Sequence, residues 1–102
     1  MKYAKWNVGQ LVQHRLFGYR GVIYDVDAEF LLTDEWYEQM AKSRPPKDEP
    51  WYRVLVDGSD VETYVAQCNL EPDELHEPIE HPDIARVFRS FNGDRYVAGQ
   101  PN

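Results

Sequence analysis

The chain has 102 residues, of which 42% are hydrophobic and 28% charged, and its 18 acidic against 11 basic side chains give a net charge of −7. This size and composition predict a single globular domain over residues 1–102 and exclude a disordered chain or a two-domain protein. The acidic balance argues against a general polyanion binder, because nucleic-acid affinity comes mainly from Lys and Arg on phosphates.

Cysteine content and hydropathy narrow the class of protein further. The single cysteine, Cys68, excludes an internal disulfide framework. No apolar stretch approaches the ~18 residues of a membrane span, so we expect no membrane partner. The first residues lack the apolar segment of a secretory signal, and a cytoplasmic location is therefore expected.

The first predicted elements are two strands joined by a tight turn. Alternating side chains predict a strand from Asn7 to Arg15 and a second from Tyr19 to Asp27. In the second strand Val22, Tyr24 and Val26 share one face, and the other face also carries an apolar residue. This strand is therefore predicted to be buried on both sides, as in a small barrel.

A helix is predicted to follow these strands. Thr33 is a favourable N-cap, and two acidic residues occupy the first turn, where the helix dipole favours them. Lys42 and Arg44 are expected near its end, and Pro45 stops it.

Two further strands, Trp51–Val56 and Val61–Ala66, are predicted with a turn at Gly58. Residues 71–81 are acidic and contain two prolines, which indicates a surface loop. Hairpin-joined short strands without a βαβ alternation predict a mostly β fold: a small, mostly antiparallel β-barrel with one or two short helices.

The second predicted helix lies near the end of the chain. Pro82 suits its first position, and Gly93 offers a stop. Ile84, Val87, Phe88 and Phe91 would form its apolar face. A short strand is predicted at residues 96–97.

No motif in the sequence predicts catalysis or metal binding. His76 and His81 are five residues apart with Pro78 between them, which opposes a zinc-binding helix. Cys68 has no local partner that would activate it as a nucleophile. We therefore predict a protein that is not an enzyme, with no catalytic residue, no metal site and no cofactor.

Charge distribution suggests one candidate binding face. Residues 1–24 hold four basic residues and no acidic residue. This asymmetry indicates either a positive face for an anionic partner or no more than the chance placement of solvated charges. His14, within this segment, fits a packed structural residue better than a ligand. The aromatic residues Trp51, Tyr52 and Tyr64 fit a core, although an exposed subset would suit stacking or a partner interface.

Several segments together resemble a known family. They are residues 8–15 (VGQLVQHR), 18–27 (GYRGVIYDVD), 50–58 (PWYRVLVDG) and 63–71 (TYVAQCNLE), with a related tail from residue 81 to residue 96. In this order and spacing they resemble the heat-shock protein Q family, also called the YccV-like or hemimethylated-DNA-binding domain.

The resemblance implies an SH3-like β-barrel in a non-enzymatic, cytoplasmic bacterial protein that self-associates as a homo-oligomer. It also implies a heat-shock role, in which the protein promotes degradation of denatured or regulatory proteins, such as the replication initiator, by the ATP-dependent Lon protease. The alternative function is binding of DNA with a preference for hemimethylated duplexes. The acidic loops would repel phosphates, which makes DNA a less favourable partner than a protein.

The matched motifs supply the candidate residues for binding a protein partner or DNA. These are His14, Arg15, Tyr19, Arg20 and Arg53. Arg15 and Arg20 flank the first turn, and their guanidinium groups could pair with carboxylates or phosphates. We expect replacement of both arginines by alanine to weaken partner binding and to leave thermal stability nearly unchanged.

Overall fold

A computed structural model describes residues 3–99, in which five antiparallel strands form one sheet and two more form a separate hairpin. The sheet contains β1 (Leu11–His14), β2 (Arg20–Asp27), β3 (Trp51–Val56), β4 (Glu62–Ala66) and β5 (Leu70–Pro72). The hairpin contains β6 (Phe88–Phe91) and β7 (Tyr96–Ala98). The helices are α1 (Asp34–Met40), α2 (Ile84–Val87) and a 3₁₀ turn at Gln67–Asn69.

The strand order β4-β3-β2-β1-β5 confirms the predicted mostly β antiparallel fold with two short helices. Within the described residues the sheet does not close into a ring of hydrogen bonds, so β4 and β5 form its two edges. The helices described within residues 3–99 include none that could span a membrane.

Strand β2 is buried on both faces, as predicted. Val22 and Ile23 are both 0% exposed although they point to opposite sides of the sheet. The Ile23 side packs on an inner cluster that includes Tyr52 and Val65, and the Val22 side packs under the C-terminal segment, which includes Tyr96. A sheet covered on both faces explains why residues 84–98 are needed as cover.

A β-bulge changes which residues of β2 share a face, so the prediction for this strand is wrong in part. The pairing with β3 shifts between Ile23 and Asp25, which leaves Tyr24 as the extra residue. Val26 therefore packs with the Ile23 cluster, whereas Tyr24 packs with the Val22 cluster. Strict alternation wrongly placed Val26 and Tyr24 on the same face.

Helix α1 begins as predicted, but it ends earlier than predicted. The Thr33 hydroxyl accepts a hydrogen bond from the backbone N–H of Trp36 at 3.1 Å. The helix stops at Met40, and Lys42 and Arg44 lie beyond its last turn. Arg44 has a left-handed backbone (φ 49°), so the chain reverses before it reaches the prolines.

The predicted helix after Pro82 is correct for only one turn. It spans Ile84–Val87, and the chain continues as β6, which pairs with β7. Phe88 and Phe91 do pack on the same cluster as Ile84, so the apolar pattern correctly identified buried residues. Backbone pairing with the segment at Tyr96 overrides the helical period, because a strand satisfies its backbone groups there and still buries Phe88.

The observed strands differ from the predicted strands in two further places. The first strand starts at Leu11 rather than Asn7, because the left-handed Gly9 (φ 93°) forms a turn. Its N–H donates to the Ile23 carbonyl at 2.7 Å, and its carbonyl accepts from the Tyr96 N–H at 2.8 Å, which links the two sheets. The acidic loop also contains a short unpredicted strand, Leu70–Pro72, paired with β1.

Candidate functional site

An apolar cleft of about 580 Å³ opens between β4, α1 and the β1–β2 turn, which comprises residues 15–19. We refer to it as the apolar cleft. Of the five predicted binding residues, His14, Tyr19 and Arg53 line it. Its volume falls in the range of about 300–1,000 Å³ that is typical of ligand-binding sites.

Large apolar side chains stand exposed around the apolar cleft. Leu16 is 51% exposed, Phe17 72%, Met40 61% and Val61 49%, and all four line the cleft. Exposed apolar residues that occur singly are ordinary, but a cluster of them around one concave surface marks a site of interaction. Polar residues Lys42 and Glu62 complete part of the lining.

The wall of the apolar cleft on the α1 side is aromatic. The Tyr64 ring stacks on Trp51 with centroids 5.2 Å apart and meets Trp36 edge-on at 5.6 Å. Its hydroxyl donates to the Asp27 carboxylate at 2.6 Å. Burial, followed by this hydrogen bond, raises the pKa of Tyr64 to about 12, so the phenol stays protonated at neutral pH.

Arg53 and Tyr19 are held in the lining by neighbours on other strands. The Arg53 guanidinium lies 4.9 Å from the centroid of the Tyr64 ring, and its Nε is 3.9 Å from the Asp25 carboxylate. The Tyr19 hydroxyl shares a 2.8 Å hydrogen bond with the Thr63 hydroxyl. Tyr19 therefore connects the β1–β2 turn to β4 across the floor of the cleft.

Buried His14 holds the exposed β1–β2 turn in place through hydrogen bonds with the backbone of the turn. It is 5% exposed, and its Nδ1 accepts hydrogen bonds from the backbone N–H groups of Leu16 and Phe17, both at 3.1 Å. Its ring stacks on Phe17 with centroids 4.5 Å apart. Burial, and then the charge of Arg15, lower the pKa of His14, which keeps the imidazole neutral. This geometry agrees with the structural interpretation of His14 and gives it the role of positioning Phe17.

Arg15 and Arg20 lie outside the apolar cleft. The Arg20 guanidinium pairs with Asp73 through two hydrogen bonds of 2.9 and 3.1 Å, and it reaches Asp57 at 3.1 Å and the Glu77 carbonyl at 2.7 Å. Four of its five N–H groups are thus donated within the chain. Exposed Arg15 donates through Nε to the Cys68 carbonyl at 3.0 Å.

Asp73 explains why Arg20 is held so firmly. Its side chain is 1% exposed. Burial on its own raises the pKa of Asp73, but the hydrogen bonds from Arg20 and from the His76 N–H outweigh it and bring the pKa below its ordinary value. The carboxylate is therefore charged, buried and dependent on Arg20. A role for Arg20 in partner binding stays a prediction, and the structure gives it a stabilising role that the sequence did not indicate.

The remaining reactive side chains do not form a cluster. His81 Nε2 lies 3.0 Å from the Val61 carbonyl, whereas His76 pairs with Asp94 at 2.7 Å. Burial, and then the Glu49 carboxylate, raise the pKa of the Cys68 thiol, which lowers its thiolate content. Residues 3–99 contain no group of three His, Cys, Asp or Glu side chains placed to hold a metal ion.

The residues that make the cleft apolar were missed by the sequence analysis. Leu16 and Phe17 fall in the predicted tight turn between the first two strands, where two adjacent large apolar residues are a signal of an exposed contact surface. Met40 and Val61 gave no local signal, because only the packing of α1 beside β4 brings them together. Asp73, the partner of Arg20, lies 53 residues away in sequence.

We expect Arg20→Ala to destabilise the protein by about 3–5 kcal/mol, because it leaves the buried Asp73 carboxylate without its partner. Arg15→Ala is the matched control, and it should cost about 1 kcal/mol or less since it removes one exposed hydrogen bond. Urea unfolding at neutral pH measures both. Equal small losses would contradict a structural role for Arg20. This expectation replaces the one from sequence, that alanine at both positions leaves stability nearly unchanged.

Acid should weaken the fold through His14. Because folding lowers its pKa, the unfolded chain takes up the proton first as pH falls through the ordinary value of 6.5. The stabilisation is complete above that value and is lost below it. His14→Asn keeps an acceptor near the Nδ1 position but cannot be protonated. The free energy of unfolding between about pH 7.5 and pH 5.5 should therefore decrease less in the variant than in the wild type. Parallel curves would contradict this role, since His76 and His81 are common to both proteins.

Comparison with known families identifies the chain. The model of a family described as "YccV-like: Hemimethylated DNA-binding protein YccV like" matches residues 4–95. The match spans the five-stranded sheet, both helices and the whole apolar cleft. It confirms the resemblance found in the sequence motifs. The chain belongs to the YccV-like family, described as hemimethylated DNA-binding proteins.

Proposed function

We propose that this protein is a non-enzymatic, cytoplasmic binding module that promotes degradation of denatured or regulatory proteins by the ATP-dependent Lon protease. The apolar cleft carries the proposal. A denatured protein exposes apolar segments that its native fold would bury, and burial against Leu16, Phe17 and Met40 gives about 25 cal/mol for each Å² removed from water. Such a surface needs no catalytic group to select an unfolded substrate.

Charge supports a protein partner over a polyanion. The net charge of −7 repels phosphate backbones at long range. Arg20, one of the four basic residues in residues 1–24, is neutralised by Asp73 and Asp57. A heat-shock role fits the same chemistry, because apolar segments become available when other proteins denature.

Lon-catalysed degradation of casein, an unfolded protein, tests the proposal. The wild-type protein should increase the rate at limiting substrate. Leu16→Ser combined with Phe17→Ser should raise the concentration needed for half-maximal stimulation about tenfold, as expected for losing ~1.4 kcal/mol of apolar contact.

Leu75→Ser is the matched control for the cleft variant. Leu75 is 54% exposed, close to the 51% of Leu16, but it does not line the apolar cleft. This variant should stimulate Lon like the wild type. The proposal is wrong if the wild-type protein leaves the rate unchanged, and the cleft is the wrong surface if both variants stimulate equally.

Binding to hemimethylated DNA is the alternative function, and the matching family description favours it. With four phosphate contacts, the logarithm of affinity should fall with the logarithm of salt at a slope of about −3.6. Fluorescence anisotropy with unmethylated, hemimethylated and fully methylated duplexes at ~50 and ~200 mM salt separates the two functions. We expect weak binding that ignores methylation and vanishes at the higher salt. A hemimethyl preference that survives ~200 mM salt would place DNA binding first.

A further inference from the structure

The outer edge of β4 carries unpaired backbone groups. Val61 accepts a hydrogen bond from the Val56 N–H, and the Gln67 N–H donates to Pro50, which places the odd-numbered residues of this strand in hydrogen-bonded pairs with β3. The N–H and C=O groups of Glu62, Tyr64 and Ala66 therefore point away from β3. Ala66 is only 1% exposed, so the groups of Glu62 and Tyr64 are the ones offered to a partner strand. No strand among residues 3–99 pairs with this edge.

The apolar cleft runs along this same edge. All five residues of β4 line it, although their side chains alternate between the two faces of the sheet. On one face Thr63 and Val65 lie beside Tyr19 of the β1–β2 turn. On the other face Tyr64 and Ala66 pack with the α1 cluster. The strand edge is thus the floor of the cleft, and the turn and the helix are its walls.

We infer that the apolar cleft binds an extended polypeptide segment, which adds to β4 as a further strand of the sheet. Successive side chains of such a segment would point alternately to the wall at Phe17 and to the wall at Met40. Because both walls are apolar, the segment should be apolar on both faces, as are segments of a denatured protein that come from a buried strand. The inference deepens the proposed function by naming the class of substrate and how it binds.

The net charge of the chain favours one of the two candidate ligands of the β4 edge, a second copy of the chain or a segment of another protein. A net charge of −7 on each copy disfavours edge-to-edge pairing of β4 with itself, and it does not bear on self-association through other surfaces. The same charge favours an apolar segment flanked by Lys or Arg. We therefore assign the cleft to a heterologous, basic-flanked apolar segment.

Peptide binding tests the inference without a protease. The probe is a fluorescent peptide of five alternating Val and Ile residues flanked by two lysines at each end. Backbone N-methylation at the residues that pair with the edge should weaken binding at least tenfold. N-methylation at the other alternate residues should leave binding nearly unchanged. Equal effects of both sets, or no binding of the unmodified peptide, would overturn strand addition.

A pair of variants locates the contact on β4. Glu62→Pro removes an outward N–H at the first residue of the edge strand, where proline is tolerated. Glu62→Ala loses the same carboxylate and its hydrogen bond with Tyr24 but keeps the N–H. Peptide affinity should fall several-fold in the proline variant relative to the alanine variant, with thermal unfolding confirming that both fold. Equal affinity in two folded variants would contradict pairing at Glu62.

The two proposals fail in different ways. If N-methylation weakens peptide binding only at alternate residues but Lon is not stimulated, strand addition stands and the proteolytic function fails. If Lon is stimulated but N-methylation has no effect, the function stands and the mode of binding fails. Sedimentation at matched concentrations tests a second copy of the chain as the ligand of this edge. Self-association that is lost in Glu62→Pro and kept in Glu62→Ala would overturn the assignment to a heterologous segment.

Discussion

Burial of β2 on both faces is the constraint on which the rest of this fold depends. A central strand with Val22 and Ile23 both 0% exposed needs apolar cover on each side of the sheet. The inner cluster supplies one cover, and the segment carrying α2, β6 and β7 supplies the other. Arg20 at the start of β2 fixes the loop at Asp73, which belongs to the segment that leads from the sheet to this cover. Packing and an ion pair thus hold the same strand, and breaking the buried pair should weaken the whole sheet.

The same arrangement leaves the β4 edge of the sheet without a partner strand among the described residues. Helix α1 packs on one face near β4, and the β1–β2 turn approaches its other face, but neither pairs with its backbone edge. Long open edges invite aggregation, and proteins normally protect them. Here β4 has only five residues, lies in a recess and carries Glu62, so flat sheets of other chains are kept away while a single extended segment has access. The acidic surface adds repulsion between copies.

The sequence was informative wherever local chemistry decides structure. Thr33 as a cap, the limits of β3 and the two-sided burial of β2 followed from residue type and alternation. It failed where distant contacts decide. Tyr24 is the extra residue of a bulge that depends on the register with β3, and Phe88 joins a strand because of its pairing with the segment at Tyr96. The site was found in part for the same reason: His14, Tyr19 and Arg53 reach the cleft, but its apolar walls and the partner of Arg20 come from segments far apart in the chain.

Hydrogen exchange at the amide of Tyr64 tests the central claim most directly. This N–H points from β4 into the apolar cleft, and Tyr64 is too well packed for a change of side-chain environment to be the main effect of a ligand. Saturating casein should slow its exchange at least tenfold and leave the amide of exposed Leu75 unchanged. Unchanged exchange at Tyr64 while casein is demonstrably bound would contradict the account, because the substrate would then be held without pairing to β4.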